Sequence, residues 1–128
     1  MQELIGIWRL VSTKAHDENG VELAPPYGPE PQGMVQIFAN HRMMCVLSDG
    51  RANLAADEER SYLSYMGAVS FNDGTFSTRV DNSSDSARIG TDQVRKFRFE
   101  GKYLVLTPPP QVKNGVTMIR ELTWEKVT

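Results

Sequence analysis

The sequence contains one cysteine and two histidines among its 128 residues, and it has no long apolar run. Because Cys45 has no second cysteine to pair with, an internal disulfide is excluded, and a reducing, cytoplasmic setting is expected. No cluster of cysteine and histidine residues has the spacing of a metal site, so no metal is expected. No apolar stretch approaches the roughly 20 residues of a membrane span, and residues 1–6 lack the pattern of a secretory signal.

An excess of charge of either sign is also absent. The chain carries 14 lysine and arginine residues against 16 aspartate and glutamate residues, which gives a net charge of −2. Because no basic patch stands out, nucleic acid is not expected as a partner. The sequence contains neither a phosphate-binding loop nor a dinucleotide fingerprint, and no serine lies in a nucleophile elbow. No cofactor is therefore expected, and no standard catalytic motif assigns a reaction.

The sequence does contain a series of short segments in which apolar and polar residues alternate. In the first of them, residues 6–15, Trp8 lies near the start, at a position where it would plug one end of a barrel. Tight-turn signals such as Asn19-Gly20 and Asn72-Asp73-Gly74 separate several of the segments. The pattern predicts about eight strands joined by hairpins, because short strands at this spacing are typical of sandwiches and barrels.

Hairpins between nearest neighbours, without a long crossover, favour an all-β, eight-stranded antiparallel up-and-down β-barrel with one short helix. Closure of a barrel also removes exposed sheet edges. The helix is predicted over residues 53–65, where apolar residues recur at helical spacing around the charged residues 57–60. The whole chain, residues 1–128, is expected to form a single β-barrel domain with one core.

Residues 25–31 interrupt the strand pattern. Four of these seven residues are prolines, which donate no backbone hydrogen bond and therefore prevent regular strand pairing. We expect a stiff loop that lies over one rim of the barrel. Tyr27 lies within this loop and is a candidate lid contact for a bound molecule.

Five segments give the chain a resemblance to a known family. They are residues 4–12 (LIGIWRLVS), 31–33 (PQG), 65–67 (YMG), 93–97 (QVRKF) and 122–127 (LTWEKV). In order and spacing they resemble the bacterial and fungal lipocalin-like domain proteins over nearly the whole chain. The resemblance implies a calycin-type barrel that binds a small hydrophobic compound. In lipocalins at large the opening Trp packs under a basic residue of the last strand, and Arg120 is the expected partner of Trp8 here.

Arg95 is the sharpest candidate for a site residue. Arg95, Phe97 and Phe99 share one face of their segment, so Arg95 points inward if the two phenylalanines do. A buried arginine needs a partner, because an unpaired buried charge is costly. Asp81, near the end of another segment, is a candidate for that partner. Arg95 is then an anchor for a ligand carboxylate, enolate or carbonyl, or a structural ion pair, or a residue at the barrel mouth in water.

Other residues are candidates for the wall of a pocket. Tyr65 lies where the predicted helix meets a strand, and its hydroxyl either donates to a ligand or lies in solvent. Methionine adapts in shape to apolar ligands but fills ordinary cores equally well, and some of five methionines are expected to line the interior: Met34, Met43, Met44, Met66 and Met118. Cys45 lies in mid-strand and is expected to be a buried, inert thiol. No residue is assigned a catalytic role, and the predicted ligand-binding set comprises Arg95, Tyr65, Trp8, Phe97, Phe99, Met44, Met118, Leu104, Tyr27 and Asp81.

Three functions fit this pattern. The first is a binding protein that holds a small hydrophobic molecule inside the barrel. The second is a biosynthetic enzyme of cyclase or isomerase type, as found among related lipocalin-like folds, acting on a small apolar or polyketide-like substrate in a shaped, dry cavity. The third is an interaction module with a filled interior. An interior cavity of roughly some hundreds of Å³ would favour the first two over the third.

A homodimer is a further expectation. Val11, Ile119 and Val105 are predicted to point outward and to form an apolar patch that a second copy would cover.

Overall fold

Among residues 2–128, which the computed structural model describes, there are ten strands and two short 3-10 turns. The turns are Gln2–Leu4 and Ser86–Arg88. Neither of these described helical segments is long and apolar enough to cross a membrane. The strands are β1 (Gly6–His16), β2 (Glu22–Leu23), β3 (Pro31–Ile37), β4 (Arg42–Asp49), β5 (Tyr62–Asn72), β6 (Thr75–Ser83), β7 (Asp92–Glu100), β8 (Tyr103–Thr107), β9 (Gln111–Lys113) and β10 (Val116–Lys126).

Eight of these strands close into an antiparallel barrel. Their order around the barrel is β1-β3-β4-β5-β6-β7-β8-β10, and β10 pairs with β1 to close it. The short strands β2 and β9 lie beside β1 and β10 as additions. Because each barrel strand pairs with the next barrel strand along the chain, the predicted all-β up-and-down topology is confirmed. Closure leaves the barrel strands without a free hydrogen-bonding edge.

The core lies inside the barrel. Successive side chains of a strand point to opposite faces, so alternate residues of each barrel strand meet in the interior. Trp124, Phe76, Ile37 and Leu104 are among the largest side chains that are fully buried there. Leu4, from the first 3-10 turn, is also fully buried and joins the same cluster. One continuous apolar core therefore holds the described part of the chain together.

A bulge in β1 changes which of its residues point inward. The pairing of β1 with β10 shifts between Leu10 and Ser12, so β1 accommodates one extra residue. Simple alternation would place Ser12 on the inner face, but Ser12 is exposed and Thr13 takes its place. The Thr13 hydroxyl then donates to the carbonyl of Pro26 at 2.7 Å. The bulge thus ties the barrel wall to the loop between β2 and β3.

Trp8 occupies the end of the barrel at which the chain begins. Its side chain is 2% exposed, and its indole N–H donates to the carbonyl of Leu4 at 3.0 Å. The basic residue over its ring is Lys126, whose Nζ lies 5.6 Å from the ring centroid. The expectation that Arg120 would fill this role is wrong, because Trp8 pairs in register with Lys126 whereas Arg120 pairs with Ala15, near the other end of β1.

The predicted helix over residues 53–65 is not formed. Residues 50–61 are an irregular loop, and β5 begins at Tyr62, which pairs with Ser48 of β4. Ion pairs and hydrogen bonds from Arg51 to Asp49 and Glu58 hold this loop against the end of β4. Of the charged residues 57–60, Glu58 thus bonds to Arg51, and Arg60 donates to the carbonyl of Asp49 at 2.7 Å.

One of the three residues predicted to lie exposed on the outer face of the barrel is buried. Val11 is 37% exposed and Ile119 is partly exposed, but Val105 is only 3% exposed. Val105 lies between Arg98 of β7 and Thr123 of β10, and ion pairs of Arg98 span this surface. The expected apolar patch is therefore interrupted. Larger exposed apolar side chains lie on β3, β4 and β5, namely Met34, Met44, Val46 and Met66.

Candidate functional site

A small cavity lies inside the barrel towards the end opposite Trp8. Its volume is about 50 Å³, which is far below the roughly 300–1,000 Å³ of a pocket for a drug-sized ligand. Side chains therefore fill most of the interior. The cavity is lined by Pro26, Tyr27, Val35, Met43, Cys45, Leu47, Leu63, Tyr65, Phe76, Arg88, Arg95, Leu106, Pro108, Arg120, Leu122 and Trp124.

A larger recess lies on the outer side of the same barrel end. It is open to solvent and has a volume of about 620 Å³. The recess and the interior cavity share three lining residues, Pro26, Tyr27 and Arg120. The apolar part of its wall comes from Leu23 and Met118, among others. These shared residues are the partition between the interior of the barrel and the solvent.

Two of the three shared residues belong to residues 24–30, which we call the proline loop. The irregular segment predicted over residues 25–31 is confirmed as far as residue 30, where it crosses one rim of the barrel, but Pro31 begins β3 and pairs with Asp49. Tyr27 and Gly28 have φ values of 64° and 74°, a left-handed conformation that is uncommon for tyrosine. These two residues turn the chain at the rim, and the Tyr27 side chain becomes part of the cavity wall.

Asp49, at the end of β4, packs closely against the proline loop at Gly28. It is 4% exposed, and a Cβ atom on Gly28 would lie only 2.6 Å from its Oδ2. The guanidinium of Arg51 binds both carboxylate oxygens of Asp49, which lowers the pKa of that carboxyl. Sequence reasoning misses Asp49, because Asp49-Gly50 has the pattern of a hairpin end. The only sequence signal for this role is the position of Arg51, two residues after Asp49.

Arg95 points into the barrel, as the alternation of β7 predicts. It is partly buried and lines the cavity. Its guanidinium donates to Gln93 Oε1 at 2.9 Å and to the carbonyl of Val94 at 2.9 Å. Asp81 is not its partner: Asp81 is exposed on the outer face and forms an ion pair with Arg42. The partners of Arg95 among the described residues are thus uncharged oxygen atoms.

Arg88 and Arg120 join Arg95 at the cavity, where the sequence does not predict them. Arg88 ends the second 3-10 turn and donates to the same Gln93 Oε1 at 2.7 Å. Arg120 comes from β10 and donates to the carbonyl of Pro109 at 3.2 Å. Burial, followed by the positive charge of Arg95, lowers the pKa of Arg120. The inward alternation of Arg120 with Leu122 and Trp124 is a usable signal for its position.

Tyr65 and Cys45 lie together deeper in the cavity. They are directly paired residues of β5 and β4, with 7% and 3% of their surfaces exposed. Burial raises the pKa of Cys45 to about 12, and burial also raises the pKa of Tyr65. Both groups are therefore neutral at physiological pH, so Cys45 is not a ready nucleophile.

The thiol of Cys45 is accordingly expected to resist alkylation. Reaction with iodoacetamide at pH 8 should be at least about a hundredfold slower in the folded protein than in urea, because burial disfavours the thiolate. Since folding raises this pKa, the stability that the neutral thiol contributes is complete below the unfolded pKa and is lost as the pH rises towards about 12. Mass spectrometry measures the extent of alkylation over time. Rapid alkylation of the folded protein would contradict the burial of Cys45.

The other predicted wall residues are divided between different parts of the molecule. Trp8 and Leu104 are buried but do not line the cavity. Phe99 does not line it either and lies beside Trp8, with 6.3 Å between the two ring centroids. Phe97 is partly buried and packs near Phe76 without lining the cavity. Met118 lines the outer recess. Met44 is 48% exposed on the outside of the barrel, since its neighbours Met43 and Cys45 take the inward positions.

Metal-binding chemistry has no basis in these side chains. Among residues 2–128, no group of three or more histidine, cysteine, aspartate or glutamate side chains is placed to hold a metal ion.

Comparison with known proteins identifies one family. A family model described as a lipocalin-like domain matches residues 5–127. No curated protein matches the chain. No solved structure matches it either. The match covers almost the entire sequence, including every strand of the barrel.

Proposed function

Because this chain belongs to the lipocalin-like domain family, we propose that it binds a small hydrophobic molecule at the barrel end covered by the proline loop. The observation that carries the proposal is the cavity beneath Tyr27. Its walls are mostly apolar, and Arg95 of β7 and Arg120 of β10 both line it. Apolar walls with a few convergent polar groups are typical of sites that bind small molecules.

The proline loop must move for a ligand to enter. The interior space of about 50 Å³ holds only a small chemical group, since pockets for drug-sized ligands measure roughly 300–1,000 Å³. Removal of Tyr27 from the partition would join this space to the outer recess of about 620 Å³. Hydrogen bonds from the Thr13 hydroxyl to the Pro26 carbonyl and from the Gly50 N–H to the Glu30 carbonyl hold the closed position. The Tyr27 side chain then controls access from the outer recess to the interior cavity.

Replacement of Tyr27 by glycine is expected to accelerate ligand entry. The substitution removes the side chain between cavity and recess, and glycine adopts the left-handed φ of 64° without strain. Association of the neutral fluorescent probe N-phenyl-1-naphthylamine, followed by stopped-flow fluorescence, should become roughly three to ten times faster, which corresponds to a barrier about 1 kcal/mol lower.

Tyr62→Ala is the control for this experiment. Tyr62 is 55% exposed and lines neither the cavity nor the recess, so its loss should leave the association rate within about twofold. Equal rates for Tyr27→Gly and the wild type would contradict the gating role. Failure of the wild type to bind the probe at all would contradict the proposed function and favour a filled barrel with a structural or interaction role.

A cyclase or isomerase receives less support from these residues. Tyr65 and Cys45 are the cavity residues nearest in chemistry to an acid or a nucleophile, and burial keeps both neutral by raising their pKa values. Arginine remains protonated at physiological pH and binds anions more readily than it transfers protons. The site is therefore better suited to holding a molecule than to moving its protons.

A further inference from the structure

The cavity has an excess of hydrogen-bond donors over acceptors. Three arginines, Arg88, Arg95 and Arg120, line it together with two tyrosines, and no aspartate or glutamate is among the described lining residues. The three guanidinium groups are partly buried, and cations withdrawn from water are normally paired because an uncompensated charge in a low-dielectric interior is costly. Among the described residues that line the cavity, no carboxylate compensates them.

The partners of the three guanidinium groups show how little negative charge they receive. Gln93 Oε1 accepts from both Arg88 and Arg95, at 2.7 and 2.9 Å. Asp85 is the one carboxylate among the described residues that bonds to any of the three, and it is paired with Arg88 on the exposed side. A neutral amide oxygen therefore holds two guanidinium groups side by side. This arrangement brings positive charges together without neutralising them.

Two buried donors at the cavity have no acceptor. The Nε of Arg120 and the Nε1 of Trp124 are both buried, and neither has a hydrogen-bond partner among the described residues. Trp124 is 1% exposed, so solvent does not satisfy its indole N–H. A buried donor without an acceptor costs about 1–3 kcal/mol. An acceptor supplied by a ligand would recover that free energy for both groups.

We propose that the ligand is a small apolar carboxylic acid whose carboxylate is bound by Arg95 and Arg120, an inference that rests on the proposed function. The cavity of about 50 Å³ suits the head group. The apolar body would lie in the outer recess against Leu23 and Met118 once Tyr27 has moved. Arg88, held beside Arg95 by Gln93, adds positive charge without needing to touch the ligand. The planar guanidinium is the side chain that best matches the two oxygens of a carboxylate.

The test compares two ligands that differ only in the head group. Decanoate and 1-decanol are used to displace N-phenyl-1-naphthylamine from the full-length protein. The wild type should bind decanoate about tenfold or more tightly than 1-decanol, because hydrogen bonds to charged groups contribute more than neutral ones. Arg95→Met and Arg120→Met should each weaken decanoate binding roughly tenfold to a hundredfold and leave 1-decanol binding within about twofold.

Lys96→Met is the matched control. Lys96 follows Arg95 in β7 but is exposed on the outer face, so this variant removes the same unit of charge from the outside of the barrel. It should change decanoate binding by less than about twofold, since exposed charges are screened by solvent and salt. Thermal unfolding confirms that each variant is folded, and replacement of a buried charge by methionine is often neutral for stability.

The outcomes separate the two proposals. Equal affinity of the wild type for decanoate and 1-decanol, or equal effects of Arg95→Met and Lys96→Met, would overturn the anion site and leave the proposed function in place. If the wild type binds none of the three compounds, the proposed function fails and the anion site fails with it. A preference for decanoate that Arg95→Met and Arg120→Met abolish, and that Lys96→Met retains, supports the carboxylate site.

Discussion

Replacement of Gly67 by alanine is expected to destabilise the barrel by about 4 kcal/mol or more, or to prevent folding. A Cβ atom at Gly67 would lie 1.9 Å from the carbonyl oxygen of Arg79 and 2.8 Å from its carbonyl carbon. Both are backbone atoms of β6, which cannot move away without breaking the ladder between β5 and β6. The register of that ladder shifts between Met66 and Gly67, so the two strands approach closely at this bulge.

Gly74→Ala separates this steric effect from the general effect of losing a glycine. Gly74 lies in the turn between β5 and β6 with a φ of 70°, and a methyl group there would have no heavy atom within 4 Å beyond its chain neighbours. Its replacement should therefore cost only the strain of a left-handed alanine, about 1–2 kcal/mol. Urea unfolding followed by tryptophan fluorescence measures both variants. If Gly67→Ala is no less stable than Gly74→Ala, the close approach of β6 to Gly67 is not present.

The topology of the barrel is predictable because it depends on local signals. Alternation within each strand and turn residues such as Asn72-Asp73-Gly74 are properties of short segments, and the observed hairpin turns at that point. The helix over residues 53–65 shows the limit of such signals. Its charged residues have helical spacing, but Arg51 and Arg60 bind the end of β4 instead. These contacts join residues of one short segment, Arg51 with the Asp49 carboxylate and Arg60 with the Asp49 carbonyl, and helical periodicity does not describe them.

Positions that depend on strand register are the least predictable. The bulge after Leu10 has no signature in the sequence, yet it decides that Thr13 faces the proline loop. The choice of Lys126 over Arg120 as the neighbour of Trp8 likewise depends on how β10 pairs with β1. A shift of one residue moves every side chain of a strand to the other face. Register is therefore a property of the closed barrel as a whole.

The candidate site is predictable where alternation holds without interruption. Arg95 points inward because β7 has no bulge along its pairing with β6. Asp81 is a poor choice of partner because it lies at the bulge of β6, where the pairing passes from Val80 to Asn82, and its exposed carboxylate bonds to Arg42. Arg88 lies in a loop, where no periodic signal exists. Alternation thus places Arg95 and offers a usable signal for Arg120, whereas the position of Arg88 depends on the fold.

Replacement of Trp8 by alanine is expected to reduce the free energy of unfolding by about 3–5 kcal/mol. The indole is 2% exposed, donates to the carbonyl of Leu4, and lies beside Phe99. Its loss would leave a cavity at the closed end of the barrel and release the first 3-10 turn. Equilibrium urea unfolding gives the change in stability, with Lys126→Met as the control. Lys126 contributes only a cation above the ring, so its loss should cost less than about 1 kcal/mol.

The same variant tests whether the two ends of the barrel are independent. Trp8 lines neither the cavity nor the outer recess, whereas Trp124 lines the cavity. At a temperature where Trp8→Ala remains folded, its preference for decanoate over 1-decanol should therefore equal that of the wild type, because the guanidinium groups at the other end are unchanged. Loss of that preference in a folded Trp8→Ala protein would mean that packing at the closed end positions the arginines. A change of packing at the closed end would then displace side chains at the other end, because a closely packed interior transmits strain.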